Sequence, residues 1–61
     1  MTTTINSMYR YEFHWRNPDT GQRNDFIVYA NHFNTAYEEA LKMLPDNLAN
    51  DDLYFDGVYI A

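Results

Sequence analysis

The side chains that could do chemistry in this 61-residue chain are few and widely spaced. His14 and His32 lack the His-x-x-x-His spacing of metal ligands on a helix, so we expect no metal site and no cofactor. Ser7, the only serine, has no neighbouring base to activate it. Glu38 and Glu39 are adjacent on a predicted helix and point about 100° apart, which does not suit an acid/base pair. We therefore expect a protein that is not an enzyme.

Length and composition are typical of one small domain. A chain of this size buries only about 60% of its unfolded surface, which allows a single small core. Six Tyr, four Phe and one Trp supply the bulk for that core. The chain has no cysteine, no basic and apolar leader and no run of about 20 apolar residues, so we expect a cytoplasmic protein without a membrane partner.

The net charge of -5 is concentrated in the second half of the chain. Residues 1–30 hold three arginines and three acids, whereas residues 31–61 hold six acids and Lys42 alone. Nucleic-acid backbones require Lys and Arg, so we expect no direct nucleic-acid binding. The acids instead predict either a protein partner with a basic surface or a merely solvated face. They are Glu38, Glu39, Asp46, Asp51, Asp52 and Asp56.

The helix signal lies in residues 33–44. Apolar residues there recur at i, i+3, i+4, i+7, i+8 and i+11, which forms one stripe on a helix. Glu38 precedes Lys42 by four residues, a pair that supports a helix. Pro45 ends the helix, and short polar residues in the segment 31–35 are candidates for its cap. The stripe consists of Phe33, Ala36, Tyr37, Ala40, Leu41 and Leu44.

Three segments show the alternation that is typical of strands. Residues 8–15 place Tyr, Phe and Trp on one side, and residues 24–30 follow after a turn in which Pro18 and Gly21 favour a hairpin. Residues 53–61 are interrupted at Asp56 and Gly57 by a bulge or by a tight turn. We favour the bulge because it keeps the apolar side continuous. That side would consist of Leu53, Phe55, Val58 and Ile60.

This element order predicts an α+β fold of ββαβ type. The sheet would have three antiparallel strands in the order 2-1-3, with one helix packed on one face. We expect residues 1–7 to form a flexible N-terminal arm and residues 8–61 a single domain. Surplus apolar and arginine side chains on the uncovered sheet face predict an interaction surface, which includes the possibility of a homodimer. The candidates there are Arg10, His14, Ile27, Tyr29, and Tyr54 or Tyr59.

Residues 28–44, VYANHFNTAYEEALKML, resemble a segment of small bacteriophage host-takeover and anti-defence proteins, including short coliphage inhibitors of bacterial RNA polymerase. The similar positions are a strand ending in Ala30, then Phe33 and Asn34, then Ala36 and Ala40 in the helix. The resemblance implies a strand-helix-strand fold and a protein that disables host machinery. The polymerase inhibitors use arginines in their last strand, and residues 53–61 contain none. Polymerase binding is therefore not implied.

These features together predict a small, acidic, non-enzymatic protein that binds and inhibits a host protein. A phage host-takeover or anti-defence protein fits this description, and an anti-CRISPR or a nucleic-acid mimic would be examples. The alternative is a structural module that self-assembles into homo-oligomers through its open sheet face.

Overall fold

A computed structural model describes residues 8–61, which form three strands and one α-helix. The strands are antiparallel in the order β2-β1-β3, which confirms the predicted ββαβ fold. The arm predicted at residues 1–7 lies outside the described residues. No helix in residues 8–61 is both long and apolar enough to cross a membrane. The elements are β1 (Tyr9–Arg16), β2 (Arg23–Ala30), α1 (Phe33–Lys42), a short 3₁₀ helix (Asn50–Asp52) and β3 (Leu53–Ile60).

The turn between β1 and β2 sets the register of the hairpin. The N–H of Gly21 donates to the carbonyl of Asn17, and the N–H of Asn17 donates to the carbonyl of Gln22, both at 2.8 Å. Gly21 has a φ of +79°, a left-handed conformation that glycine adopts without steric cost. The Asn17 side chain also accepts a hydrogen bond from the N–H of Asp19 at 2.8 Å. This turn aligns the apolar side of β1 with that of β2.

The core lies between the helix and one face of the sheet. Phe13 is fully buried at its centre, with ring centroids 5.8 Å from Phe26 and 5.6 Å from Phe55. Ala36 and Ala40 are fully buried, and their small size lets the helix approach the sheet closely. The other buried residues are Tyr11, Val28, Ala30 and Leu53.

The predicted bulge is present in β3. Glu12 pairs with Gly57 and Phe13 pairs with Phe55, so Asp56 is the extra residue. The shift reverses the alternation after Asp56. Leu53, Phe55, Val58 and Ile60 consequently lie opposite Trp15, Phe13, Tyr11 and Tyr9, on the helix side of the sheet.

The helix is placed off-centre. It packs mainly on β2 and less on β1, and its main ring contact with β3 joins Phe33 to Phe55 at 5.1 Å. As a result Val58 is 47% exposed and Ile60 is 85% exposed, although both lie on the helix side. The C-terminal half of β3, which contains Val58 and Ile60, is therefore not covered by the helix.

Three details of the helix differ from expectation. The helix ends at Lys42 rather than Leu44, although Leu44 still packs against the core. Lys42 pairs with Glu39 at 3.3 Å and not with Glu38, because residues three apart are also neighbours on a helix. His32 occupies the N-cap position, but its side chain makes no capping hydrogen bond.

Candidate functional site

The sheet face opposite the helix is the candidate site, and we call it the open face. Successive side chains of a strand point to opposite faces of the sheet. The residues that alternate with the core residues along each strand therefore point to this side. The open face consists of Arg10, Glu12, His14 and Arg16 of β1, Arg23, Asp25, Ile27 and Tyr29 of β2, and Tyr54, Asp56, Gly57 and Tyr59 of β3.

Large apolar side chains are half exposed across the open face. Ile27 is 47% exposed, Tyr29 56%, Tyr54 45% and Tyr59 47%. These are the surplus residues that the sequence places on an uncovered face, and the monomer leaves them uncovered. They lie on the two outer strands, on either side of Arg10, Glu12 and His14 of β1. Exposed apolar side chains that are grouped with polar ones on one face mark interaction sites.

His14 joins β1 to β3 at the middle of the open face. Its Nδ1 lies 2.8 Å and 2.9 Å from the two carboxylate oxygens of Asp56. An ionised carboxylate can only accept hydrogen bonds, so Nδ1 is the nitrogen that carries the hydrogen. The imidazole also stacks on the Tyr54 ring, with centroids 4.8 Å apart and an angle of 12° between the planes. These contacts hold Tyr54 and Asp56 in a defined arrangement.

Arg10 and Tyr59 form a second ordered pair on the open face. The guanidinium carbon of Arg10 lies 5.1 Å from the centroid of the Tyr59 ring, a cation–π distance. Arg10 Nε is 3.4 Å from a Glu12 carboxylate oxygen, an ion-pair distance without hydrogen-bond geometry. The Tyr59 ring lies over Gly57, where a Cβ atom would stand only 2.9 Å from the Tyr59 hydroxyl oxygen. Gly57 thus gives the ring room to lie against the strand.

A third pair joins Arg23 to Asp25 in β2. Arg23 Nε donates to Asp25 Oδ1 at 2.7 Å. This hydrogen bond lowers the pKa of the Asp25 carboxyl, and the nearby His14 acts in the same direction. The same pair raises the pKa of Arg23. Both side chains are exposed, so the pair contributes little to stability.

A depression of about 400 Å³ opens between these pairs. Its wall includes three carboxylates, those of Glu12, Asp25 and Asp56, beside the aliphatic side chain of Ile27. Phe13 and Phe26 also border it, but their side chains belong to the core on the helix side. Such a lining combines hydrogen-bond acceptors with apolar surface, which suits the long stem and cationic head of a lysine or arginine.

The open face and the rest of the molecular surface differ in net charge. The three arginines on the open face balance Glu12, Asp25 and Asp56, so this face carries no net charge. The net charge of -5 therefore arises from residues elsewhere. Most of those acids lie on the helix and in residues 46–52.

The acids proposed as partner contacts do not form one surface. Glu38 and Glu39 are exposed on the helix, on the other side of the sheet from the open face. Asp56 lies on the open face, bound to His14. Asp52 caps the 3₁₀ helix by accepting from the N–H of Ala49 at 2.9 Å. Asp46 and Asp51 are exposed in and near the loop after the helix. Asp56 is therefore on a different surface from Glu38 and Glu39, because the sheet separates it from the helix.

Sequence reasoning placed Arg10, Ile27, Tyr29 and Tyr54 on the open face, but it overlooked Glu12 and Asp25 as site residues. The period-2 pattern is a sufficient signal for both, since Glu12 alternates with the buried Tyr11 and Phe13 and Asp25 precedes the partly buried Phe26. The depression was not foreseeable, because it depends on cross-strand register between β1, β2 and β3.

Within residues 8–61, no group of three or more His, Cys, Asp or Glu side chains is arranged to hold a metal ion. In comparisons with protein-family models, curated proteins and solved structures, none matches this chain.

Proposed function

We propose that this chain is a small non-catalytic protein that binds and inhibits a host protein, in the manner of phage host-takeover or anti-defence proteins, and that the open face is its contact surface. The observation that carries the proposal is the half exposure of Ile27, Tyr29, Tyr54 and Tyr59 on an uncovered sheet face. Tyr and Arg are the residue types that dominate binding energy at interfaces. Arg10 supplies the arginine.

The pre-ordered side chains favour tight binding. Side chains that are fixed before binding lose less conformational entropy when a partner arrives. The stacking of His14 on Tyr54 and the contact of Arg10 with Tyr59 provide this order. The open face is therefore a more favourable contact surface than the exposed helix carboxylates, of which only Glu39 has an ion-pair partner, the exposed Lys42.

The depression supports a cationic contact residue on the partner. A lysine or arginine of a host protein would place its charged group among Glu12, Asp25 and Asp56 and its stem against Ile27. The overall charge of -5 would also attract a partner with a basic surface before contact. Both features support a basic protein partner, and the lack of a cationic face disfavours nucleic acid.

Capture of a partner from bacterial lysate by the full chain tests the proposal. We expect one protein to be recovered in stoichiometric amount, and Tyr29→Ala to weaken its binding by about ten- to thirtyfold, as for a hot-spot residue. Met43→Ala is the matched control, because Met43 is 51% exposed but lies at the end of the helix. Recovery that is unchanged by Tyr29→Ala would overturn the open face as the contact surface.

The helix carboxylates provide a separate arm of the same experiment. Charge reversal by Glu38→Lys and Glu39→Lys should change the association rate and its salt dependence only modestly, because these groups would lie at a distance from the contact. If this charge reversal released the partner completely while Tyr29→Ala had no effect on its recovery, the contact surface would be the helix carboxylates and not the open face.

A second candidate function is self-assembly through the open face. The exact balance of three arginines and three carboxylates would allow two open faces to meet without net repulsion. Light scattering at increasing protein concentration tests it, with Tyr29→Ala as the disrupting variant. A monomer at all concentrations would exclude this candidate.

A further inference from the structure

The outer edge of β3 is available for pairing with another strand. β3 pairs only with β1, so within residues 8–61 its outward N–H and C=O groups have no strand partner. Edge strands are commonly shielded by charged residues, proline, a β-bulge or a covering element, and β3 has the bulge at Asp56. Residues 53–60 contain neither lysine nor proline, and the helix lies over β2 and β1. The single charged residue of the strand is Asp56.

The sequence of β3 has a near-palindromic pattern of side-chain types. Its first half is LYFD, and its second half, GVYI, reads IYVG in reverse, so aliphatic or aromatic residues coincide in three of the four places. An antiparallel pair of β3 strands from two copies would then place Leu53 opposite Ile60, Tyr54 opposite Tyr59, and Phe55 opposite Val58. Two-fold interfaces require this kind of matching, because each residue pair occurs twice.

The bulge makes this register compatible with the faces of the sheet. In a regular strand, residues 53 and 60 would point to opposite faces, since they differ by an odd number. The bulge at Asp56 reverses the alternation, so Leu53, Phe55, Val58 and Ile60 all point to the helix side. Tyr54 and Tyr59 both point to the open face. Every pair in the register above therefore joins residues on the same face.

We propose that two copies of this chain pair antiparallel through β3, about a two-fold axis between Asp56 and Gly57, to form one continuous six-stranded sheet. Pairing satisfies the outward backbone groups of β3 and covers the exposed residues Phe55, Val58 and Ile60 with those of the second copy. The edge strand β2 offers no equivalent. It has no bulge, so its full-length self-pairing would bring opposite faces together.

The dimer would also enlarge the open face. Three strands of eight residues span about 14 by 26 Å, or roughly 370 Å² in projection. Stable interfaces usually involve about 800 Å² on each partner. Two open faces joined at β3 approach that size. The inference does not depend on the proposed function, because β3 pairing uses the strand edge rather than the face.

Site-specific cross-linking tests the register. The chain has no cysteine, so introduced thiols report on chosen positions alone. Full-length Tyr54→Cys mixed with Tyr59→Cys should form an intermolecular disulfide, since paired Cα atoms would lie about 5 Å apart. Neither variant should cross-link with itself, because like residues would be displaced by about 17 Å along the strands. Cross-linking in the separate samples to the same extent, or of Tyr29→Cys with Tyr59→Cys, would overturn the proposal.

Sedimentation analysis with paired variants gives an independent readout. Val58→Lys places a charge at the edge opposite Phe55 of the second copy, twice in the dimer, and should raise the dimer dissociation constant at least about tenfold. Ile27→Lys is the control, because Ile27 is equally exposed at 47% but lies on β2. Circular dichroism establishes that each variant is folded.

A wild-type chain that stays monomeric at millimolar concentration would overturn the proposal, as would a dimer that Val58→Lys leaves intact. Moderate salt should strengthen the dimer, because it screens the repulsion between two chains of charge -5. If the chain dimerises through β3 but captures no host protein, the dimer proposal holds and the proposed function is overturned. If the chain stays monomeric and captures a host protein, the dimer proposal is overturned and the proposed function holds.

Discussion

At the scale of single residues, the open face is organised by pairs of side chains from neighbouring strands. His14 reaches Asp56 and Tyr54 across the β1–β3 boundary, and Arg10 reaches Tyr59 across the same boundary. These contacts order aromatic rings that would otherwise move freely in water. The arrangement of side chains on the open face therefore depends on contacts between residues of neighbouring strands, and no single residue establishes it.

The Arg23–Asp25 pair predicts a measurable pH dependence. The pKa of Asp25 lies below its ordinary value of 3.8 because Arg23 donates a hydrogen bond to the ionised carboxylate. The stabilisation is therefore complete above that ordinary value and is lost as the pH falls through the lower pKa of the folded state. An NMR titration of Asp25 should show this low midpoint.

Arg23→Gln should return the Asp25 midpoint towards 3.8, because the charged donor is removed. Arg16→Gln is the control, since Arg16 is the cross-strand neighbour of Arg23 but does not bond to Asp25. A midpoint that Arg23→Gln leaves unchanged would contradict the pairing.

At the scale of elements, the bulge in β3 and the short helix decide the shape of the molecule. The bulge keeps four apolar residues on the helix side, while the ten-residue helix is too short to cover them all. A helix of this length is marginal by itself, so its stability comes from packing against β2 and β1. Its position leaves the β3 edge exposed.

The unused N-cap predicts a stabilising substitution. His32 has the extended backbone of an N-cap, with φ of -136° and ψ of 150°, but its side chain does not cap the helix. His32→Ser would supply a hydroxyl acceptor for the first-turn N–H groups and should raise the free energy of unfolding by about 0.5–1 kcal/mol. Urea denaturation measures the change. Asn31→Ser, one residue earlier, should have no such effect, and an equal gain from both would argue against His32 as the cap.

At the scale of the whole molecule, one face of the sheet is buried and the other is not. A domain of this size has a stability of roughly 3–9 kcal/mol on a per-residue basis. That small margin depends on a core centred on Phe13. Residues of the open face can be substituted with little loss of stability, because their side chains are not part of that core.

Phe13 and Phe55 offer a comparison of buried and exposed phenylalanines in the same sheet. Phe13→Ala should cost about 3–5 kcal/mol, which is a large share of the total stability. Phe55→Ala should cost less than about half as much, because Phe55 is 46% exposed and Phe13 is fully buried. Thermal denaturation followed by circular dichroism distinguishes them. Equal losses would mean that Phe55 is buried in solution, as it would be if a partner or second copy covered it.

The fold was largely predictable because its signals are local. The alternation of Tyr11 and Phe13 with polar residues, the turn at Gly21 and the helical stripe each depend on neighbours in the chain. The site was predictable only in part. The apolar members Ile27, Tyr29 and Tyr54 followed from alternation, whereas the partner of His14 did not, since Asp56 is 42 residues away in sequence.

Local sequence specifies which residues of β1, β2 and the helix face the core, because side-chain direction in strands and helices repeats with a fixed local period. For the residues after Asp56 it leaves the direction open, since a bulge and a turn both fit. Only the tertiary structure decided which outward residues meet. Strand register brought Asp56 to His14 and kept it away from Glu38, and the off-centre helix left Val58 and Ile60 uncovered. These outcomes depend on the packing of distant segments against one another, which no local period specifies.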